Sequence, residues 1–295
     1  MKFLIEKYIK YLRYEKNLSL HTEISYSTDL HQFSDFLEEH FPDNNIKTID
    51  SDIIRLWIVS LVENKISARS VNRKLSTLKS FYKFLLKIKE VDANPIKRIT
   101  GLKTSKPLPA FVNDSDMNTI LDVDNFDSSF ESLRNRIIIE LFYVTGMRRA
   151  ELIGLKDTDV DFSSENIQVT GKRNKQRIIP FSDGMKALLE EYLAARNKEV
   201  ENQSGYFFTR GNGQQLYPVL VHRIVNSNLK QISTLSKTSP HVLRHSFATT
   251  MLNNGADINA VKELLGHSSL AATEIYTHTS FEELKKIYNK AHPRA

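Results

Sequence analysis

The sequence predicts a mainly α-helical protein of two domains, the second carrying one small antiparallel sheet. Three observations lead there. Apolar residues recur at helical spacing along most of the chain, as at Val71, Leu75, Leu78, Phe81, Tyr82 and Leu85. Strand-like runs are confined to three short stretches between residues 157 and 181, bounded by polar turn residues. A basic stretch marked by Pro95, Pro107 and Pro109 separates the two helical regions and puts the boundary near residue 107.

Taken in order, Phe3, Ile5, Tyr8, Ile9 and Leu12 give a first helix. Ser19 is placed to cap a second that carries Tyr26, Leu30, Phe33, Phe36 and Leu37, and Pro42 to Asn45 break the chain after it. Asp50 and Asp52 open a third with Ile53, Leu56, Trp57 and Leu61, and Ser67 opens a fourth. From Ser67 to Lys89 the fourth helix carries Arg69, Arg73, Lys74, Lys79, Lys83, Lys87 and Lys89 and no acid. A solvated helix usually mixes signs, so a one-sign face predicts a track along a phosphate backbone or an entry into a major groove. Arg69, Arg73, Lys74, Lys79 and Lys83 are the candidate DNA contacts. Residues 1–90 thus read as a helical bundle and residues 91–107 as a basic, proline-containing linker with Lys97, Arg98, Lys103 and Lys106. Two domains joined by such a strap would suit a clamp around a duplex.

Beyond the linker, Asn113 to Asp116 begin a helix, and others are expected at 130–145 and Arg148–Leu155. Strands follow at Asp157–Phe162, Asn166–Thr170 and Arg177–Phe181, and helices resume at 183–200, 216–232, 241–254, 257–265, 268–277 and 281–290.

Composition narrows the function classes. The 40% hydrophobic and 26% charged fractions are those of a soluble globular chain. No apolar run approaches the roughly 20 residues that span a bilayer, and the charged N-terminus does not read as a signal peptide. With no cysteine there is no disulfide, thiolate zinc site or cysteine nucleophile, which fits a cytoplasmic protein. The net charge is +6, and the excess lies in residues 1–107, with 19 Lys+Arg against 13 Asp+Glu, whereas the remainder holds 22 of each. A basic first third favours a polyanionic partner, because neutralising phosphates releases condensed counterions.

Three chemistries compete for the polar residues of the second half. His241 and His245 have the i, i+4 spacing of a helical zinc pair, with His267 and His278 downstream, but Val242 stands where a metalloprotease has Glu and Arg244 opposes a dication. No metal is expected. Gly171-Lys172 lacks the second glycine and the Lys-Ser/Thr ending of a P-loop, so no nucleotide is expected either. Phosphoryl transfer without metal or other cofactor needs a nucleophile, cations for the non-bridging oxygens and an acid for the leaving oxygen. Arg148, Lys172, His241, Arg244, His267 and Tyr276 supply those types. The planar fork of arginine suits a phosphate, and a phenol with pKa about 10 needs a base or strongly positive surroundings to attack near neutrality.

These residues stand in five ordered motifs: Thr145-Gly-Met-Arg148-Arg-Ala-Glu151-Leu, Gly171-Lys172-x-Asn-Lys175-x-Arg177, His241-x-Leu-Arg244-His245, Leu265-Gly-His267 and Tyr276-Thr-His278. Together they resemble the tyrosine recombinases, most closely the bacterial Xer site-specific recombinases, over essentially the whole chain. The resemblance implies a helical, SAM-like core-binding domain followed by a catalytic domain over 108–295. It implies that Tyr276 attacks the scissile phosphate to form a 3′-phosphotyrosyl link and release a 5′-hydroxyl. Arg148 and Arg244 then clamp the non-bridging oxygens, Lys172 protonates the leaving oxygen, His241 assists proton transfer and His267 hydrogen-bonds the phosphate. Religation needs no ATP. The partners implied are a duplex recombination site, a homo- or hetero-tetramer of recombinases that resolves a four-way junction, a second Xer-type recombinase and a DNA translocase. The helix at 281–290 is expected to dock on a neighbouring protomer.

Two departures from the pattern matter. The lysine loop has Arg173 and Gln176 where glycine and glutamate are frequent, which leaves Lys175 as a competitor for the acid role. Arg149 follows Arg148, which is preferred because it directly succeeds the Thr-Gly-Met turn. Glu151 reads as structural, orienting Arg148, and His245 as a packing residue. The function implied is site-specific recombination serving chromosome dimer resolution at cell division. The alternatives are an integrase of a mobile element and an inert DNA-binding protein on the same scaffold.

Overall fold

The computed structural model describes residues 1–43, 45–104, 110–122, 126–127, 129–171, 174–201, 204–232, 235, 238–266 and 281–294. It divides the chain into two units, Met1–Pro107 and Leu108–Ala295.

The first unit is built on four helices, α1 (Lys2–Tyr14), α2 (Leu20–His40), α3 (Ser51–Glu63) and α4 (Ala68–Lys87). Asp50 and Ser67 cap α3 and α4 by accepting from backbone amides of their first turns. Ser19 takes the cap position of α2, but its hydroxyl pairs with that of Thr22 rather than with the backbone. The apolar stripes meet in one core, with Tyr8 packed on Phe81 at 5.3 Å and Phe33 on Trp57 at 4.8 Å between ring centroids.

The acid missing from α4 is supplied by α2. Asp29, 1% exposed, accepts from Lys74 Nζ at 2.9 Å, from Thr77 Oγ1 at 3.0 Å and from Arg73. This corrects one of the five candidate DNA contacts: Lys74 is buried and committed to Asp29, whereas Arg73 bonds Asp29 and Ser25 with 47% of its side chain still exposed. Periodicity along α4 did not show an acid 45 residues upstream. Arg69, Arg73, Lys79 and Lys83 are exposed. The segment expected as linker also starts inside this unit: Val91 and Ile96 belong to its core, and Asn72 brackets Leu102 with two hydrogen bonds to its backbone.

The second unit is arranged around α6 (Phe130–Thr145), whose residues from Ile137 to Thr145 are all buried. Against it pack α8 (Asp183–Glu199), α9 (Pro218–Leu229) and α10 (Pro240–Asn253), with α5 (Asp114–Ile120) preceding it in the chain. A helix apolar on every face belongs at the centre of a layer of helices. After α7 (Arg149–Gly154) and a 3-10 turn at Asp157–Asp159 comes the antiparallel sheet β1 (Val160–Asp161), β2 (Asn166–Thr170) and β3 (Gln176–Pro180), in sequence order. Its register pairs Ile167 with Ile179 and Val169 with Arg177.

A smaller core joins α10 to α11 (Ile258–Leu265) and α12 (Phe281–Ala291) through Phe247, Met251, Val261, Leu264, Leu284 and Tyr288. The helix expected to dock on a neighbouring protomer is thus seated on its own domain. Lys285 pairs with Glu165 at 2.7 Å, Arg294 with Glu140 at 2.6 Å, and Asn254 donates to the Ala291 carbonyl. An apolar stripe dictates burial, and here its own chain provides the surface. No described helix is long and apolar enough to cross a membrane.

Two predictions follow from this packing. Asp29→Ala leaves Lys74 as a buried, unpaired cation and should lower the stability of the first unit by about 3–5 kcal/mol in urea unfolding followed by Trp57 fluorescence, whereas the double substitution Asp29→Ala, Lys74→Met should recover most of the loss. His292 lies between the rings of Tyr143, Phe247 and Tyr288, and burial lowers its pKa from 6.5 to about 4. The folded state resists a proton that the unfolded chain accepts. Its contribution is therefore full above pH 6.5 and is lost as pH falls towards 4, with a slope of at most about 1.4 kcal/mol per pH unit. Protection of α12 amides from hydrogen exchange, taken relative to their intrinsic rates at each pH, should fall across that window, and His292→Phe should flatten the dependence.

Candidate active site

The site starts where α6 ends. Gly146 closes the helix in the left-handed region, at φ 58°, which glycine adopts without a side-chain penalty. Space enforces the same choice, since a Cβ there would lie 2.6 Å from the Phe247 ring and 2.8 Å from Leu265. The Thr145 hydroxyl donates to the Leu141 carbonyl and accepts from the Met147 amide, which fixes the turn. Arg148 emerges from it as the N-cap of α7. The Glu151 carboxylate reaches back to the Arg148 amide at 2.7 Å, and Arg148 Nη1 donates to Glu151 Oε1 at 2.7 Å.

Two further guanidinium groups converge on this point. Arg177, from β3, donates through Nη1 and Nη2 to the two oxygens of Glu151 at 2.8 and 2.9 Å. Arg244, on α10 one turn after His241, donates to the Gly146 carbonyl. All three arginines also end on α11. Arg177 Nε holds the Leu264 carbonyl at 2.7 Å, Arg244 Nη2 that of Leu265 at 2.6 Å, and Arg148 Nη2 that of Gly266 at 2.8 Å. The last carbonyls of a helix lack intrahelical donors and carry its negative dipole end, so cations belong there.

Among the described residues charge does not balance in this cluster: three guanidinium groups face one carboxylate. Burial, then the charges of Arg148 and Arg177, lower the pKa of Arg244 to about 10, with Glu151 opposing. Burial pushes the Glu151 carboxyl up, but hydrogen bonds and charge from Arg177, followed by those from Arg148, outweigh it and leave the pKa lowered. The side chain of Arg148 is 36% exposed against 2% for Glu151, so the uncompensated charge opens to solvent at Arg148. A half-buried double positive charge with planar donors is a receptor for a phosphate.

Of the residues singled out in the sequence, Arg148 and Arg244 share this cluster, and Glu151 is its anchor. Arg149 points away, towards the Pro218 carbonyl at 3.3 Å. His241 is exposed in the first turn of α10, and His245 is half-buried. Lys175 is exposed beyond the sheet. Lys172, His267 and Tyr276 lie outside the described residues. The residues just before two of them do touch the cluster. A Cβ on Gly171 would lie 3.2 Å from Glu151 Oε1 and 3.7 Å from Arg148 Nη1, and one on Gly266 would lie 3.0 Å from Arg177 Nη1. Sequence reading quoted Arg177 within a motif and gave it no role. Its signal is the alternation of β3, which turns Arg177 to the same face as buried Ile179.

Comparison with known proteins shows the family. Residues 110–283 match the phage integrase family and residues 5–89 its N-terminal SAM-like domain. The tyrosine recombinase XerC of Chlorobaculum parvum is 36% identical over 99% of this chain and 94% of its own length. That of Oceanobacillus iheyensis is 37% identical over 100% and 97%. Among solved structures, the XerH site-specific recombinase bound to palindromic difH substrate, a post-cleavage complex, superposes with a TM-score of 0.73 at 26% identity, covering 96% of this chain and 82% of that one. With a family match over more than half its length and full-length relatives above 30% identity, this chain belongs to the phage integrase family of tyrosine recombinases, enzymes that cut and rejoin DNA strands.

Proposed function

We propose that this protein is a site-specific recombinase of Xer type in which the arginine cluster receives the scissile phosphate of a duplex recombination site. The observation that carries the reading is the excess, among the described residues, of two positive charges where α6, α10, α11 and β3 meet. Arg148 and Arg244 hold the non-bridging oxygens. The phenolic oxygen of Tyr276 attacks phosphorus, the bond to the 5′-oxygen breaks, and Lys172 donates a proton to that leaving oxygen. His241 assists the proton on Tyr276, and His267 hydrogen-bonds the phosphate. The 3′-phosphotyrosyl bond keeps the energy of the broken phosphodiester, so a 5′-hydroxyl from another strand reverses the reaction without ATP.

Strand exchange between two duplexes proceeds through a four-way junction in a tetramer, made of one recombinase or of two related ones. α12 leaves its own seat in that assembly and joins neighbouring protomers. Arg69, Lys79 and Lys83 contact backbone phosphates from the first unit. The XerC relatives, matched over nearly their whole lengths, favour a chromosomal role in resolving dimers at cell division.

The test is single-turnover cleavage of a nicked suicide duplex carrying the cognate site, run in chelator. The parent protein should form a covalent adduct without divalent metal. Arg148→Ala and Arg244→Ala should each slow it by about 10²–10³-fold, the effect of removing one donor to a developing anion. Dependence of cleavage on metal, or wild-type rates in both variants, would contradict the reading.

A further inference from the structure

Arg177 is the cation of the cluster that cannot meet the substrate. Its side chain is 11% exposed, and Nε, Nη1 and Nη2 are all engaged inside the protein. We propose that Arg177 is a positioning residue for cleavage: it saturates Glu151 and pins the end of α11, and so fixes how Arg148 and Arg244 present their guanidinium groups. This inference rests on the recombinase reading above.

The hydrogen bonds show how. Glu151 Oε1 accepts from both Arg148 Nη1 and Arg177 Nη1, and Oε2 from both the Arg148 amide and Arg177 Nη2. A carboxylate left to itself would take Arg148 as a bidentate fork, the strongest geometry open to that pair. The fork of Arg177 occupies that place. Among the described residues the Arg148 side chain makes one bond to Glu151 and one to Gly266, which leaves its other donors without a partner there and open to another oxyanion. Arg177 Nε meanwhile holds the Leu264 carbonyl, the first of three consecutive carbonyls whose other two orient Arg244 and Arg148. Gly266 makes room for it, because any Cβ there would meet the guanidinium of Arg177 at 3.0 Å. Lysine in this place would keep the charge and lose the fork.

The experiment compares parent protein, Arg177→Lys, Glu151→Gln and the double substitution Glu151→Gln, Arg177→Gln on the suicide duplex. Thermal melting, DNA affinity and the saturating rate of adduct formation are measured for each. The expected result is that Arg177→Lys folds and binds the site within about threefold of the parent but cleaves about 100-fold more slowly, the cost of misplaced groups rather than lost binding. A saturating rate within about threefold of the parent overturns the proposal, as does a loss confined to affinity. Should Arg177→Lys fail to fold, the neutral double variant carries the test. It should cleave at least about tenfold more slowly than Glu151→Gln alone, and equal rates overturn the proposal, because Arg177 then only balances the charge of Glu151. Absence of any adduct from the parent protein would instead refute the recombinase reading.

Discussion

The carboxylate of Glu151 is the point on which the rest of the site depends. Buried with 2% of its side chain exposed, it demands cations, and it takes two of them. The third, Arg244, is held by the Gly146 and Leu265 carbonyls, and its pKa is lowered first by burial and then by the charges of Arg148 and Arg177. Desolvating three guanidinium groups costs free energy that one carboxylate cannot return. A protein that keeps such an arrangement stores an electrostatic demand for an anion, and a phosphate diester held between two arginines meets it.

The scaffold makes that demand tolerable by spreading its supports over distant elements. The second half of α6, Ile137–Thr145, is buried and delivers Arg148 through a glycine turn in which any Cβ would clash with Phe247 and Leu265. α10 brings Arg244, β3 brings Arg177, and the end of α11 presents three carbonyls in succession. In the first unit Asp29 gathers Arg73, Lys74 and Thr77 between α2 and α4, and the one positive charge in excess sits on Arg73, whose side chain is 47% exposed to solvent. The two clusters differ in degree: among the described residues the Asp29 cluster carries one positive charge in excess, and the Glu151 cluster carries two.

Much of this was legible in the sequence, for reasons that differ from element to element. The described helices follow from 3.6-residue periodicity and β2 and β3 from short runs closed by turn residues, whereas the strand expected over Asp157–Phe162 is only Val160–Asp161 behind a 3-10 turn, and the helix expected at 268–277 lies outside the described residues. Arg148 and Arg244 were legible because their motifs are ordered and specific. The job of Lys74 was not, because its partner lies 45 residues away on another helix. Nor was the hold of α11 on the arginines, because backbone carbonyls are common to every residue and leave no mark in composition. The stripe of α12 announced burial without saying on whose surface. The inward turn of Arg177 was available in the alternation of β3, but its meaning appears only with Glu151 beside it.

The central claim is that the unbalanced arginine cluster serves a tyrosine nucleophile, and the most direct measurement is the chemistry of the trapped bond. A suicide duplex carrying the recombination site should be cleaved, the complex digested with protease, and the DNA-linked peptide sequenced by mass spectrometry. The account predicts a phosphotyrosyl link from Tyr276 to the 3′ end of the cleaved strand, with a free 5′-hydroxyl opposite and no adduct from Tyr276→Phe. A link at another residue, a 5′-phosphoryl link, or an adduct formed by Tyr276→Phe would contradict it.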